Sequence, residues 1–470
     1  MPVLSLVEGR LRPLSLLIPA LLLGLAACQK TEQANTATAP AAKAVPVAAA
    51  ATLTAVESFD AGMAKAKAEG KALLVDAWAP WCHTCLSMQH YVLNDPALAP
   101  LGERVVLVEL DTDKEENAGF LEKYSVNVWP TFFVIDPATG KATGLWPGSA
   151  SVGEFRDFVE NGLAGIEEAH SANADPQSPA RLMVSAKAAQ ASGDYAKAAS
   201  EYGNAVTKAD AAWPRRNEAL MGWLFSLSQA GDDAACVKVG RAHLAEVRGA
   251  AVPADYSAIL LDCAGEAKAG DAKLAHAEAV ARLRDFTANP PADASADDRA
   301  DAWNTLSYAL DEDGDKEGAK HAQEQRLAIL EKAAAGIKDP QLAQTFDYAR
   351  AQAYVALDRG DEAVKMLEAR EKELPDSYEP PARLASALAK MDRLPQALTA
   401  VDRAIAKAYG PRKLLYVRQK ADIQSRMGDH AGEVATLKQE VAGYEALPKG
   451  QSRPDALADA KKRLAEARKG

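Results

Sequence analysis

Two cysteines separated by two residues, Cys82 and Cys85, are the side chains of this 470-residue sequence best placed to do chemistry. They follow a short apolar run at residues 72–77 that favours a buried strand, and they precede a predicted helix. A cysteine at a helix N-terminus lies beside unpaired backbone N–H groups and the positive end of the helix dipole, which favour the thiolate. The spacing therefore predicts a redox-active pair, with Cys82 as the attacking thiol and Cys85 as the resolving thiol.

The two residues between the cysteines, His83 and Thr84, are expected to tune the pair. A protonated His83 would place a positive charge beside Cys82 and stabilise its thiolate. Cys-x-x-Cys pairs also occur in zinc sites, but no second pair follows at metal-ligand spacing, and His90 on the same predicted helix is the one nearby candidate ligand. No metal site and no cofactor are therefore expected.

The elements that must position this pair alternate between helix and strand over residues 56–165. The patterns predict a helix, four strands and a closing helix at residues 56–69, 72–77, 104–110, 131–135, 142–146 and 151–163. Helices and strands mixed over this length are typical of one small α/β domain.

These residues resemble the thioredoxin family, in particular the C-terminal thioredoxin-like domain of thiol:disulfide interchange proteins. The resemblance rests on Leu-Val-Asp-Ala-Trp-Ala-Pro-Trp-Cys-x-x-Cys at residues 74–85 and on Trp-Pro-Thr-Phe at residues 129–132, and it extends over about a quarter of the chain. It implies that Pro130 is cis and lies against the disulfide, and that Trp81, Trp129 and Pro130 contact the substrate.

The resemblance also implies that Asp76 is buried behind Cys85 as the proton acceptor for the resolving thiol. Without the resemblance, Asp76 would be a capping or salt-bridged carboxylate at a strand end. Glu109 falls near the position where thioredoxin has a lysine facing the buried aspartate. If Glu109 faces Asp76, the two carboxylates raise the apparent pKa of the pair, whereas an exposed Glu109 fits the sequence equally.

Two further departures from the family concern the active-site helix. His83-Thr84 replaces the more usual Gly-Pro, and Leu86 stands where many members have a lysine. These substitutions leave the direction of electron flow open.

The N-terminus has the pattern of an export signal. Arg10 and Arg12 precede an apolar run at residues 14–27, which is too short for a membrane-spanning helix. The run ends in Leu-Ala-Ala-Cys, which resembles a bacterial lipoprotein box and implies that Cys28 is lipidated. Gln29 after Cys28 favours the outer membrane, so the expected location is the periplasmic side of the envelope. An ordinary secretory signal is the alternative.

Residues 1–27 are therefore predicted to be a lipoprotein signal peptide and residues 28–55 a disordered tether. The tether is rich in Ala, Thr and Pro and has too few large apolar side chains to offset the entropy lost on folding. Contact with the membrane is expected through the lipid anchor only. The net charge of −11, with scattered basic residues, excludes a nucleic-acid-binding surface.

Residues 180–450 contain a turn of Gly-Asp type that recurs every 32 to 46 residues between predicted helices, which is typical of a solenoid. The turns lie at residues 193–194, 231–232, 270–271, 314–315, 360–361, 392–393 and 428–429. The clearest unit, residues 193–205, resembles a tetratricopeptide repeat, and a generic α-α solenoid is the alternative. Both alternatives predict stacked helical hairpins with a concave surface that would hold peptide or protein.

Cys236 and Cys263 fall at the same end of neighbouring predicted hairpins. A structural disulfide between them fits an exported protein, and two buried free thiols fit the sequence equally. Neither cysteine belongs to a second Cys-x-x-Cys pair, so neither is expected to be catalytic.

The predicted architecture is an α/β thioredoxin-like fold followed by an all-α, tetratricopeptide-like solenoid of helical hairpins. The resemblance implies an envelope-anchored thiol:disulfide oxidoreductase that reduces disulfides of exported proteins, while the array binds these protein partners. An external electron donor or acceptor, such as a membrane thiol carrier, would complete the cycle. The alternatives are a disulfide oxidase or isomerase that uses the same residues, and a non-enzymatic envelope assembly scaffold.

Overall fold

The computed structural model of the chain describes residues 53–267 and 271–469. The predicted signal peptide, Cys28 and all but the end of the predicted tether lie outside the described residues. Within the described ranges, none of the helices combines the length and the apolar composition that crossing a membrane requires.

A five-stranded sheet forms the centre of the first domain, with strands in the order β1-β3-β2-β4-β5. β1 and β2 each pair with β3 in parallel, and β4 pairs antiparallel with both β2 and β5. The strands span Ala55–Val56 (β1), Ala72–Trp78 (β2), Val105–Asp111 (β3), Thr131–Asp136 (β4) and Lys141–Pro147 (β5). β2, the strand that leads to Cys82, is central and almost wholly buried, as its continuous apolar run predicts.

Helices cover the two faces of this sheet. They span Phe59–Glu69 (α1), His83–Met88 (α2), Ala118–Leu121 (α3) and Val152–His170 (α4), with 3-10 turns at Pro96–Glu103 and Glu115–Asn117. α2 continues into a π-helical turn at Gln89–Leu93. Ser151 and Glu154 form a capping box that fixes the start of α4.

The domain begins earlier than the sequence predicts. Val56, predicted to begin the first helix, forms β1 together with Ala55. Ala55 and Leu53 were both assigned to the tether, and Leu53 packs in the apolar core. A strand of two residues has no periodicity of its own, because it is defined by its pairing with Leu107 and Val108 of β3.

The rest of the chain forms the repeat array, in which consecutive helices pack against one another. Its helices span Pro179–Ala191 (α5), Tyr195–Lys208 (α6), Arg216–Gln229 (α7), Asp233–His243 (α8), Val252–Glu266 (α9), Ala272–Ala288 (α10), Ala296–Glu312 (α11), Lys316–Ala334 (α12), Pro340–Ala356 (α13), Gly360–Glu373 (α14), Glu379–Lys390 (α15), Leu394–Lys407 (α16), Gly410–Arg426 (α17), His430–Ala446 (α18) and Pro454–Ala467 (α19), with a 3-10 turn at Lys449–Gln451. The array therefore extends past residue 450, where the sequence-based boundary was set.

The Gly-Asp turns mark the junctions between the two helices of a hairpin. At the turns before α6, α8, α12 and α18, the glycine has a positive φ of 72–81° and the aspartate side chain accepts a hydrogen bond from the backbone of the following helix. The turn at residues 360–361 differs, because Gly360 already belongs to α14 and Asp358 adopts the left-handed conformation instead.

Cys236 of α8 and Cys263 of α9 form a disulfide, with their Cα atoms 6.1 Å apart and both side chains buried. Of the two alternatives that the sequence left open, the structure contains the cross-link. It ties one hairpin of the array to the next.

The array surrounds the sheet domain, and the first helix of several hairpins faces it. Lys187 of α5 donates a hydrogen bond to the carbonyl of Leu145 in β5 at 2.6 Å. Gln229, at the end of α7, accepts one from Asn127 at 3.1 Å. At the far end of the array, the Gln451 amide donates to the Thr112 carbonyl at 2.9 Å. The concave side of the array is therefore occupied, at least in part, by the chain's own first domain.

Candidate active site

Cys82 and Cys85 form a disulfide at the start of α2. Cys82 is the N-cap residue of this helix, and its Sγ accepts a hydrogen bond from the backbone N–H of Cys85 at 3.0 Å. The sequence-based placement of the pair at a helix N-terminus is therefore reproduced. Cys82 is only 2% exposed and Cys85 is fully buried.

The three residues predicted to contact the substrate are close to this disulfide. Trp81 and Trp129 pack in the cluster that contains both cysteines, and Pro130 follows Trp129 in the chain. The Trp129–Pro130 peptide bond is cis, in agreement with the resemblance to thioredoxin. The rings of Trp81 and Trp129 meet edge to face at 5.1 Å, and Trp129 belongs to the buried cluster that contains both cysteines. The indole of Trp81 donates to Asp113 at 2.7 Å. We refer to Trp81, His83, Trp129 and Pro130 as the active-site face.

Asp76 is completely buried in β2, and its direct neighbour in the parallel strand β3 is Glu109. Burial raises the pKa of Asp76 well above its usual value, and the charge of the half-buried Glu109 raises it further. The Gln89 amide donates to Asp76 Oδ2 at 3.4 Å, while Oδ1 has no hydrogen-bond partner in the described part of the chain. The structure thus favours a facing Glu109 and a protonated Asp76 over a salt-bridged one.

His83 contacts the repeat array rather than solvent. Its Nδ1 lies 2.9 Å from Asp297 Oδ1 and its Nε2 lies 3.9 Å from Asp301 Oδ2, both on α11. The ring also stacks on Tyr348 of α13 with 5.8 Å between centroids. Burial by itself lowers the pKa of His83, but the charges of Asp297 and Asp301 outweigh it and raise this pKa to about 9. His83 is therefore an imidazolium at neutral pH.

Asp297 and Asp301 belong to a buried acidic group at the start of α11. The third member, Asp298, accepts a hydrogen bond from Ser149 of the first domain at 2.5 Å. Burial raises the pKa of Asp301 to about 7, with His83 lowering it and Asp297 raising it. This group was not predicted, because acidic residues near a helix N-terminus are common and nothing in the local sequence indicates that they are buried against another domain.

The array also covers the two tryptophans of the active-site face. The guanidinium of Arg412, in α17, lies 4.5 Å from the centroid of the Trp81 ring, and that of Arg453 lies 5.8 Å from Trp129. Tyr409, just before α17, donates a hydrogen bond to Asp111 at the end of β3. Thr84, the other residue predicted to tune the pair, is half-buried and has no array contact of this kind among the described interactions.

Among the described residues, His83, Asp297 and Asp301 are the one group whose ligand atoms are close enough to consider a metal ion. The two ring nitrogens of His83 face two different carboxyl groups: Nδ1 is within hydrogen-bond distance of Asp297, and Nε2 lies 3.9 Å from Asp301. This arrangement suits an imidazolium that pairs with Asp297 and is attracted by the charge of Asp301. We therefore describe the group as an ion-pair cluster.

The sequence profile of a family described as "Thioredoxin-like domain" matches residues 59–163. Protein disulfide-isomerase 1 of Dictyostelium discoideum is 31% identical over 93 residues, which span 19% of this chain and 25% of the relative. Thiol:disulfide interchange protein DsbD of Pseudoalteromonas atlantica is 30% identical over 111 residues, which span 22% of this chain and 19% of the relative. The chain thus spans a quarter or less of the length of these two relatives.

A tetratricopeptide repeat protein from Parabacteroides merdae is similar to 62% of this chain and 99% of its own, at 13% identity and a TM-score of 0.40. A TM-score this low does not establish a shared fold, and the solenoid architecture is defined by the helices and turns of the chain itself. Residues 59–163 are therefore a thioredoxin-like domain, and a tetratricopeptide-like array of helical hairpins follows it in the same chain.

Proposed function

We propose that the chain is a thiol:disulfide oxidoreductase that works through Cys82 and Cys85. The observation that supports this most directly is the disulfide between an N-cap cysteine and a cysteine one turn later, packed in one cluster with Trp129 of the cis Trp129–Pro130 bond. The strand before it carries the buried carboxyl group of Asp76. As a purely structural cross-link this disulfide would add little stability, because a disulfide that closes so short a loop restricts the unfolded chain very little.

In the reducing direction, the Cys82 thiolate attacks one sulfur of a substrate disulfide, and the other substrate sulfur leaves as a thiolate. The mixed disulfide is resolved when Cys85 loses its proton to Asp76 and attacks the Sγ of Cys82. This step requires the molecules in which Asp76, whose pKa is raised, is ionised. The substrate leaves with two thiols once its thiolates are protonated, and the protein retains the Cys82–Cys85 disulfide. Two electrons pass from the protein to the substrate, and a donor dithiol must return them. In the oxidising direction every step is reversed.

For the direction and location we propose a reductase of exported proteins on the periplasmic side of the envelope, anchored by a lipid on Cys28 and recharged by a membrane thiol carrier. The lipoprotein-like signal supports the location, and the similarity to an interchange protein supports the direction. The repeat array would bind the protein partners with surfaces that the thioredoxin-like domain does not occupy.

A reduction assay tests the proposed activity. The reduced protein is mixed with a protein whose disulfides are known, and the appearance of substrate thiols is followed together with the loss of the Cys82 and Cys85 thiols. We expect two substrate thiols for each protein disulfide formed, and no reaction for Cys82→Ser. A Cys82→Ser variant as active as the unmutated protein would refute the proposal. A Cys236→Ala, Cys263→Ala variant is the matched control, which should keep the activity.

A further inference from the structure

The active-site face is closed by the chain itself. A substrate protein must place its own backbone and disulfide against Trp81, Trp129 and Pro130 if the proposed function holds. In the structure Cys82, His83 and Trp129 are 2%, 8% and 6% exposed, and helices of the repeat array lie over them. A protein substrate and the array therefore compete for the same surface.

The contacts over the active-site face differ in character from those that attach the array elsewhere. At the edge of the sheet, Val128 is part of the large apolar cluster formed by the first hairpins of the array. Lys187 there reaches the β5 carbonyl and pairs with the buried Glu218. Over the active site, Trp81 packs against the apolar cluster of the later hairpins, and ionic and cation–π contacts are added, from α11 to His83 and from Arg412 to Trp81. At this second attachment, charged groups of the two parts meet directly, and water can solvate them when the parts separate.

Both parts of the chain contribute cations to the second attachment. The acidic group on α11 consists of Asp297, Asp298 and Asp301, all buried. Arg326 faces it from within the array, and His83 is the cation that the thioredoxin-like domain supplies to it. A buried carboxylate that loses its partner without reaching water is strongly destabilised, so the two sides remain paired or separate into solvent. An ion pair of this kind can therefore behave as a two-state contact.

We propose that the ion pair of His83 with Asp297 and Asp301, called here the closing ion pair, holds the array over Cys82 as a releasable cover, and that a protein partner reaches the disulfide only after this pair separates. This inference rests on the proposed function, because a cover matters only if the disulfide exchanges. It assigns to α11 of the repeat array control over access to the active site in the preceding domain.

Rates of disulfide reduction test the cover directly. The oxidised protein is treated with a water-soluble phosphine or with reduced, free-standing thioredoxin. Alkylation of the new thiols and peptide mapping then measure the reduction of Cys82–Cys85 separately from that of Cys236–Cys263. The test variant is Asp297→Asn, Asp301→Asn, which leaves the Cys-x-x-Cys sequence intact. The matched control is Asp347→Asn, which removes an equally buried array carboxylate that pairs with Arg370 within the array.

At about pH 6 a His83 released into solvent is mostly protonated, so closing the variant would bury a cation without the carboxylate of Asp297, with which it forms a hydrogen bond. We expect the double variant to be reduced by thioredoxin about tenfold faster than the unmutated protein or faster, a change of about 1.4 kcal/mol in the closed–open equilibrium. We also expect faster amide hydrogen exchange in the first turns of α11, which a change of redox potential alone would not produce. Asp347→Asn should match the unmutated protein in both measurements.

Equal reduction and exchange rates for the double variant and the unmutated protein would overturn the proposal. A faster reduction with unchanged exchange in α11 would also overturn it, because that result indicates redox tuning without opening. The phosphine measurement keeps this test separate from the proposed function, since a phosphine reduces an accessible disulfide whether or not the protein exchanges with other proteins.

The pH dependence of the unmutated protein gives a second test that requires no substitution. The charged and titratable groups that face His83 are Asp297 and Asp301 on α11, Arg326 on α12 and Tyr348 on α13. The pKa of His83 is raised in the closed form from 6.5 to about 9. The stabilisation that protonated His83 gives to the closed form is therefore complete below pH 6.5 and is lost as the pH rises through about 9. Reduction by the phosphine should therefore accelerate between about pH 6.5 and about pH 9, and a rate that stays flat over this range would contradict the closing role.

Discussion

Asp76 and Glu109 are direct partners on the neighbouring parallel strands β2 and β3, so two carboxyl groups lie side by side in the sheet. In the proposed mechanism Asp76 is the proton acceptor of the resolving thiol. Burial and the neighbouring charge both raise the pKa of Asp76. A protonated Asp76 cannot accept a proton, so the resolving step should depend on pH through this group.

Replacement of Glu109 by Gln should therefore lower the pKa of Asp76 and extend fast resolution to lower pH. The measurement is the pH profile of mixed-disulfide resolution in a single turnover. Asp76→Asn, which removes the proton acceptor, should slow this step about 10²-fold or more while leaving attack by Cys82 nearly unchanged. Identical pH profiles for Glu109→Gln and the unmutated protein would contradict the coupling of the two carboxyl groups.

The same buried carboxyl group predicts how stability changes with pH. An aspartic acid whose pKa is raised by folding costs stability as the pH rises from its unfolded pKa, about 4, to its folded pKa. Asp76→Asn should therefore increase the free energy of unfolding at pH 7 and have little effect below about pH 4. Denaturant unfolding at the two pH values checks this. A variant that is less stable at pH 7 would show that Asp76 is ionised and stabilised by an interaction not described here.

Direct titration of His83 should give a midpoint near 9 in the folded, oxidised protein. In the Asp297→Asn, Asp301→Asn variant the midpoint should fall by more than two pH units if the array stays closed, because burial then acts without the compensating charges. If the array opens, the midpoint should return to the value of an exposed histidine. Nuclear magnetic resonance of the imidazole signals distinguishes these outcomes, and an unchanged midpoint would contradict the ion pair.

Gly410 lies where α17 meets the thioredoxin-like domain, and it has a positive φ of 57°. A Cβ atom at this position would collide with the backbone carbonyl of Asp113. Asp113 follows the end of β3 and accepts the hydrogen bond of Trp81. Gly410→Ala should therefore separate α17 from Trp81 and speed the reduction of Cys82–Cys85. Gly428→Ala is the matched control, because Gly428 has a similar φ of 73° but open space around it. Equal reduction rates for the two variants would contradict a role of this junction in closing the site.

Loss of the Cys236–Cys263 disulfide should destabilise the array without disabling the active site. A cross-link between residues 27 positions apart is expected to contribute about 2–4 kcal/mol. The Cys236→Ala, Cys263→Ala variant should unfold at a lower denaturant concentration by a corresponding amount, while the redox potential of Cys82–Cys85 stays the same. No change in unfolding would indicate that the two sulfurs are not bonded in the protein.

The parts of the structure that sequence predicts are those encoded locally. The strand that leads to Cys82, the helix that begins at His83 and the Gly-Asp turns all depend on residues next to one another in the chain. The cis peptide before Pro130 and the burial of Asp76 came from the resemblance to thioredoxin. The contacts of His83 with Asp297 and of Trp81 with Arg412 join residues more than 200 positions apart, and no periodicity or capping signal encodes them. The covered state of the site could therefore be seen only in the folded chain.

The most direct test of exchange at Cys82 is covalent trapping. The Cys85→Ser protein is produced in its native cells and its disulfide-linked adducts are isolated, because without the resolving thiol a partner remains attached to Cys82. We expect discrete adducts that disappear in the Cys82→Ser, Cys85→Ser double variant and become more abundant when Asp297→Asn, Asp301→Asn is added. The absence of adducts in every one of these variants, with folded protein present, would contradict the exchange mechanism and favour a non-enzymatic scaffold.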